Sequence, residues 1–352
     1  MAAAKIPVAV LGATGAVGQR FIQLLADHPW FQIAALAASE RSAGRRFAEV
    51  SKWVIPGDPP PAVSEMEVQP LEPNLPARLV FSALPSEVAE QVEPAFAQAG
   101  YAVCSNAAAF RQAPDVPLII PEVNADHAAL IERQQQARGW SGFIVTSPNC
   151  TTTGIAMPLK PLGQAFGLRR VAAVSMQAVS GAGYPGVASL DILDNVIPYI
   201  GGEEDKIEQE TRLLLGRMEA HQRVAADIVV SAQANRVPVM DGHTVCLSLG
   251  FECRPSVEDA RAALALFRGP EPVPSLPSAP QRPIVVRAEP DRPQPRRDRD
   301  AQGGMAVSVG RVRPCPLMDL RLVSVSHNTL RGAASGSILN AELLVAMGYV
   351  AR

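Results

Sequence analysis

Ser147-Pro148-Asn149-Cys150-Thr151-Thr152-Thr153-Gly154 sets a cysteine between an apolar run of strand length, Phe143–Thr146, and the apolar Ile155-Ala156-Met157. That order predicts a buried strand, a turn and a helix whose first residues include Cys150. At a helix N-terminus the free N–H groups and the dipole favour thiolate over thiol. Thiolate is the form that attacks an acyl carbonyl. On this stretch alone a buried structural cysteine fits as well. His243, between Gly242 and Thr244, is a candidate partner, because imidazole titrates near neutrality and can take or give a proton. His28, His127 and His221 lie in helical or polar stretches that suit packing or surface roles.

Such a pair needs a framework of strands and helices to position it. Ile6–Leu11 is an apolar run ending in Gly12-Ala13-Thr14-Gly15-Ala16-Val17-Gly18, after which Gln19–Ala26 has helical periodicity. Strand, glycine turn and helix form the context of a dinucleotide fingerprint, in which backbone N–H groups meet a pyrophosphate at the helix N-terminus. The spacing is GxxGxxG and suits an NADP-type variant. The next strand, Ile33–Ala38, leads into Ser39-Glu40-Arg41-Ser42, and Ser39, Arg41 and Ser42 favour a 2′-phosphate whereas Glu40 leaves the choice of cofactor open. Further runs at Leu79–Leu84, Ala102–Ser105 and Leu118–Ile120, with helices near Ser86–Ala99 and Asn124–Arg138, predict a doubly wound parallel sheet. Residues 56–78 read as a proline-rich surface excursion.

In the second half, Val171–Val179 reads as a strand carrying Gln177, followed by the flexible turn Ser180–Gly186. An amphipathic helix runs from Ile200 to Leu215, and Asn235–Thr244 falls between two strand-like runs. Pro283–Val286 reads as an edge strand inside a proline- and arginine-rich excursion. Met305–Val312 and Leu320–Ser326 read as the last strands, and Thr329–Met347 as the closing helix. The chain has 352 residues, enough for about two domains. Hydrophobic content of 47%, charged content of 19% and a net charge of −2 give no sign of a nucleic-acid partner. No apolar run reaches the roughly 20 residues of a membrane span. The N-terminus lacks a signal-peptide pattern, and five cysteines with no CxxC pair argue against disulfides and zinc. A reducing cytoplasm is therefore expected.

Five motifs in order, SPNCTTTG at 147–154, VSMQAVSGAG around Gln177, GGEEDK at 201–206, RVPVMDGHT at 236–244 and HNTLRGAASG at 327–336, resemble the aspartate-β-semialdehyde dehydrogenase family, in its archaeal and fungal branch. The resemblance runs from Ile6 to the C-terminus. It implies a Rossmann-type NADP-binding domain over 1–149, completed by a C-terminal helix at 328–352. It also implies a catalytic and dimerisation domain over 150–327, an α+β domain similar to the C-terminal domain of glyceraldehyde-3-phosphate dehydrogenase. The implied activity is reduction of L-β-aspartyl phosphate to L-aspartate β-semialdehyde by NADPH through a Cys150 thioester, in lysine, threonine and methionine biosynthesis. Homodimers or homotetramers are implied, with no nucleic acid, membrane or metal involved.

The resemblance assigns Cys150 as nucleophile, His243 as acid/base and Gln177 as orienting residue. It gives Arg236 the substrate α-carboxylate, Glu203 the amine, and Lys206 with Arg111 the phosphate; Asn149 is a candidate for polarising the carbonyl. The cofactor set is Gly12, Thr14, Gly15, Ala16, Val17, Ser39, Arg41, Ser42, Ser82, Ala83, Leu84, Ser180, Gly181, Gly183 and Asn328. A malonyl-CoA reductase shares the fold branch and the cysteine and differs in leaving group. N-acetyl-γ-glutamyl-phosphate reductase is opposed by RVPVMDGHT, and a non-catalytic NADP-binding regulator by the joint presence of Cys150, Gln177, Arg236 and His243.

Overall fold

A computed structural model describes residues 4–351. Met1–Ala3, on which part of the leader reading falls, and Arg352 lie outside the described residues. The chain divides into two compact units. One comprises the chain up to Ile119, Asp126–Ser147 and the segment from Ala333 onward, and the other comprises Ile120–Ala125 and Pro148–Gly332.

The first unit holds β1 (Ile6–Leu11), β2 (Phe31–Ala37), β3 (Val68–Gln69), β4 (Leu79–Ser82), β5 (Ala102–Ser105) and β6 (Phe143–Thr146). They form one parallel sheet in the order β3-β2-β1-β4-β5-β6. Every residue of β4, β5 and β6 is buried, as a sheet covered on both faces requires. Helices α1 (Ala16–Leu25), α2 (Ser86–Gln98) and α3 (Leu130–Arg138) and the C-terminal helix Ala334–Ala346 complete the unit. The excursion at 56–78 contributes more than surface: it carries the one-turn helix Pro61–Ser64 and the edge strand β3. Leu118–Ile120 is not a strand; Leu118 makes an isolated bridge to Thr146, and Pro121 and the helical turn it opens end the run. The helix expected from Asn124 is broken into the turn Pro121–Asn124, a 3-10 segment Ala125–Ala129 and α3.

The second unit holds helix α4 (Cys150–Phe166), strand β7 (Leu168–Gln177), helix α5 (Glu203–Leu214), the hairpin β8 (Arg217–Glu219) and β9 (Gln222–Val224), strands β10 (Val229–Arg236) and β11 (His243–Phe251), helix α6 (Val257–Leu266), and strands β12 (Ile284–Val286), β13 (Val307–Pro314) and β14 (Leu320–Ser326). Its mixed sheet runs β10-β7-β11-β14-β13-β12, with β12 at the edge as expected. Burial alternates along β7 and β10, so one face packs under α4 and α5 while the other is open. Gly154 allows the close seating of α4: a Cβ there would come within 2.5 Å of Ser326 Oγ on β14. The closing helix starts at Ala334, later than Thr329, because residues 327–332 form a turn held by Gly332 N–H donating to His327 O. The segment around Glu122 belongs to the second unit, where its carboxylate takes both terminal nitrogens of Arg331 at 2.7 and 2.6 Å. Both side chains are 1% exposed.

Candidate active site

Cys150 is the first residue of α4. Asn149 caps the helix: its Oδ1 accepts from Thr151 N (2.8 Å) and Thr152 N (3.1 Å), satisfying two of the donors a helix start leaves open. The Asn149 backbone N–H donates to Glu210 Oε2 (2.6 Å), and its Nδ2 donates to Glu203 Oε1 (2.9 Å). Asn149 is thus occupied in holding the turn beside the cysteine.

His243 opens β11, in register with Ser326 of β14. Its Nε2 lies 3.2 Å from Cys150 Sγ, and the ring is fully buried. The Ala178 N–H donates to its Nδ1 at 3.0 Å. Burial, the Arg236 charge and His327 hold its pKa down at about 3. Gly181 gives these groups room, since a Cβ there would sit 2.8 Å from Arg236 Nη1 and 3.0 Å from His243 Cε1. Arg236, the last residue of β10, is buried, and its Nη1 donates to Ala178 O (2.8 Å).

Glu203 begins α5 and is buried. Its Oε1 accepts from Asn149 Nδ2, from Gln177 Nε2 at 2.9 Å and from Thr151 Oγ1 at 3.3 Å. Its carboxylate therefore turns into the cysteine turn rather than onto Lys206, which is half-buried one turn along. Helical geometry explains the division of labour along α5. Glu203 and Glu210, seven apart, share the face that meets α4. Glu204 and Glu208, four apart, accept from Ala234 N and Ala232 N at 2.9 Å and cover the outer N–H groups of edge strand β10. Glu210, Thr151 and the Ala178 amide were not anticipated. Only Glu210 had a signal in the sequence, its spacing of two helical turns from Glu203.

Asn328 accepts from Gly242 N at 2.9 Å and donates to Ser180 Oγ at 2.8 Å, tying the two loops that carry Gly181 and His243. Gly183 is an exposed residue with φ +73. Gly332 lies against the nucleophile: a Cβ there would be 2.6 Å from Cys150 Cβ. The second unit thus gathers Cys150, His243, Gln177, Arg236, Glu203, Asn149, Ser180, Gly181 and Asn328.

The remaining candidates lie in the first unit. Gly12 has φ +77 and would press a Cβ to 2.8 Å from Ala83 O; Gly18 would press one to 2.2 Å from Gly12 O. Those contacts bring α1 tight against the ends of β1 and β4, where the strand order reverses and such sheets bind ligands. Gly15 caps α1 without a side-chain bond, and the first turn, which contains Ala16 and Val17, has no acidic residue. The N-terminal N–H groups of this helix are therefore suited to an anion. Thr14 is half-buried beside them, and Ser39, Glu40 and Arg41 are exposed in the turn that Ser42 N–H closes onto Ser39 O. Ser82 is fully buried toward Glu93, which leaves only its backbone for a cofactor, and Leu84 is largely covered. Arg111 is also buried, donating to Asn106 O at 2.8 Å. His28 has a structural role: its Nε2 pairs with Glu342 at 2.8 Å, and its Nδ1 accepts from Trp30 N and Phe31 N.

Comparison with known proteins agrees with this layout. The family described as semialdehyde dehydrogenase, NAD binding domain, matches residues 7–131, and that described as semialdehyde dehydrogenase, dimerisation domain, matches residues 159–331. An aspartate-semialdehyde dehydrogenase of Archaeoglobus fulgidus is 54% identical over 97% of this chain and 98% of its own length. One from Schizosaccharomyces pombe is 47% identical over 97% of this chain and 99% of its own. The crystal structure of aspartate semialdehyde dehydrogenase with NADP from Candida albicans superposes with a TM-score of 0.91 at 43% identity, covering 99% of this chain and 100% of that one.

Proposed function

The chain belongs to the semialdehyde dehydrogenase family, and from that premise we propose that it reduces L-β-aspartyl phosphate to L-aspartate β-semialdehyde with NADPH, as a step toward lysine, threonine and methionine. The observation that carries this reading is one cluster of side chains. Cys150 Sγ stands at a helix N-terminus 3.2 Å from His243 Nε2, with the cation of Arg236 and the carboxylate of Glu203 beside it. A thiolate, a cation for an α-carboxylate and a carboxylate for an ammonium together describe an amino-acid acyl donor.

Cys150 attacks the acyl carbon, phosphate departs and a thioester forms on sulfur. The helix dipole and Arg236 favour the thiolate that makes this attack. Arg236 grips the α-carboxylate through its forked donors. Glu203, its Oε1 held by Asn149, Gln177 and Thr151, presents Oε2 to the substrate ammonium, and Gln177 orients both. Lys206 and Arg111 supply positive charge for the leaving phosphate. Gly12, Gly15 and the start of α1 would hold the cofactor pyrophosphate, with Ser39, Arg41 and Ser42 at the 2′-phosphate. Bound NADPH supplies the hydride that the thioester accepts. The loops tied by Asn328 keep Ser180, Gly181 and Gly183 on the site.

The chain acts as a homodimer or homotetramer. Tyr184, Leu190, Leu193, Val196, Tyr199, Val229 and Met240 are each more than half exposed, and exposed apolar side chains of this kind suit a subunit contact. A cytoplasmic location fits five free thiols, and among the described residues no helix is long and apolar enough to cross a membrane. The test is reduction of NADP by the purified protein with L-aspartate semialdehyde, with and without phosphate. Activity that requires phosphate and ignores coenzyme A is expected. Turnover that requires coenzyme A instead would overturn the acyl phosphate reading.

A further inference from the structure

Asn149 is held at two points along α5. Its side-chain Nδ2 donates to Glu203 Oε1 at 2.9 Å, and its backbone N–H donates to Glu210 Oε2 at 2.6 Å. Seven residues at about 1.5 Å each set those two glutamates roughly 10 Å apart along one face of the helix. Glu203 faces the substrate in the reading above. Glu210 has no part in that reading, yet it is 1% exposed and spends its carboxylate on the residue before the nucleophile.

Helix-start chemistry explains why it is needed. A helix capped by Ser, Thr, Asp or Asn is often closed by a Glu or Gln at its third position, whose side chain turns back to the N-cap backbone N–H. Asn149 is the N-cap of α4, and the third helical position is Thr152. Thr152 carries no carboxylate, and its Oγ1 faces Asn149 Oδ1 at 3.5 Å. The Asn149 N–H is buried, and a buried donor left unmade is expensive. Its acceptor comes from a different helix, so the reciprocal half of the cap is supplied in trans.

We propose that Glu210 is a positioning residue: it completes the α4 cap from α5 and so fixes Cys150 Sγ both against His243 and at a set distance from the Glu203 carboxylate. Cys150 follows Asn149 directly, and its Sγ lies 3.2 Å from His243 Nε2. An Asn149 amide released from Glu210 would carry the sulfur with it. The proposal rests on the acyl phosphate reading, in which Glu203 takes the substrate ammonium and Cys150 the acyl carbon. The clamp then holds the span between those two substrate atoms. What it requires is reach and an acceptor oxygen, and charge is secondary. Glutamine keeps the length and the acceptor and loses the charge. Aspartate keeps the charge but is one methylene short of a 2.6 Å contact.

The experiment compares the full-length variants Glu210→Gln and Glu210→Asp with wild type. In the phosphate-dependent oxidation of L-aspartate semialdehyde, Glu210→Gln should keep kcat within about 3-fold, whereas Glu210→Asp should lose ~100-fold, the scale of a ~1 Å misplacement. The KM for NADP should stay put in both, a split that general loss of structure would not give. The second readout needs no substrate: alkylation of Cys150 by iodoacetamide, followed by mass spectrometry with the exposed Cys253 as internal reference. The Cys150 to Cys253 rate ratio should hold in Glu210→Gln and fall ~10-fold in Glu210→Asp at about pH 7, where an ordinary cysteine is only a few per cent thiolate. Equal kcat and equal alkylation in the two variants, at whatever level, would overturn the proposal. So would an aspartate variant that surpasses the glutamine one, because charge would then matter more than reach. If Glu210→Asp does not fold, Glu210→Gln still decides, since a deep loss of kcat with a wild-type circular dichroism spectrum overturns the proposal. Wild-type protein without phosphate-dependent turnover would refute the activity reading, while the alkylation ratios would still decide on the clamp.

Discussion

Gly332→Ala tests whether the turn behind the nucleophile sets its position. The added Cβ would lie 2.6 Å from Cys150 Cβ and 2.8 Å from both Cys150 Cα and Asn328 O. Carbon atoms rest about 3.5–4.0 Å apart, so something must give by about 1 Å. Neither partner is the loose end of a side chain. The start of α4 is pinned by the Asn149 cap, by Glu210 on the Asn149 amide and by the close seating of Gly154 on Ser326. The other side of the contact is held by Arg331, bidentate on Glu122, and by Gly332 N–H on His327 O. Overpacking of this kind costs about 1–3 kcal/mol, which a folded domain survives. Misplacement of a reacting atom by ~1 Å costs about 10²-fold in rate. We therefore expect kcat in the phosphate-dependent oxidation of L-aspartate semialdehyde to fall ~100-fold, with slower alkylation of Cys150 and a retained circular dichroism spectrum. A variant with near wild-type kcat and thiol reactivity would refute the reasoning, since the contact would then be relieved without moving sulfur.

Three further outcomes follow from packing and charge. Glu93 is fully buried, and burial lifts its carboxyl from 4.5 to about 7 despite the hydrogen bond from Ser105 Oγ at 2.6 Å. Its folded-state pKa is raised, so its contribution to stability is present below pH 4.5 and is lost as pH rises through about 7. Glu93→Gln should accordingly stabilise the protein by up to about 3 kcal/mol at about pH 8 and by nothing near pH 4.5, read from urea midpoints; equal effects at both pH values would refute the assignment. Arg331→Met leaves Glu122 charged and alone in the interior, which should cost about 3–5 kcal/mol, while Met at both positions should recover most of that loss; a double variant as unstable as the single one would show that the charge is not the cause. Asn149→Ala removes the α4 cap and should lower stability by ~0.5–2 kcal/mol with an unchanged denaturant slope; an unaltered midpoint would mean that the cap contributes nothing.

Local signals in the sequence carried far. Gly12, Gly15 and Gly18 between an apolar run and a helical period announce a strand–turn–helix, because side chains rarely adopt the φ +77 of Gly12 and a Cβ at position 18 would lie 2.2 Å from Gly12 O. The doubly wound first unit follows from its alternating runs, and Cys150 at a helix start follows from the Asn-Cys-Thr-Thr-Thr order after a strand. Other features depend on partners far away in the chain. Leu118–Ile120 has strand composition yet pairs at one position only, since a proline follows and the helical turn begins there. Glu122 belongs to the second unit, where it pairs with Arg331, 209 positions away in the sequence. Whether Glu203 is a surface charge or a buried acceptor is decided by Asn149 and Gln177, which no periodicity of α5 can reveal.

The division has a physical reason. Residue type and spacing act through local geometry, so the sequence by itself determined the glycine turn, the capped cysteine helix, the strand alternation and the presence of a titratable imidazole. Hydrogen-bond direction, burial and tautomer are properties of an assembled environment. The Ala178 amide lies 65 positions from His243 in the chain, and only the pairing of β7 with β11 brings the two to 3.0 Å. That contact fixes how the ring is held beside Cys150, and tertiary structure alone decided it.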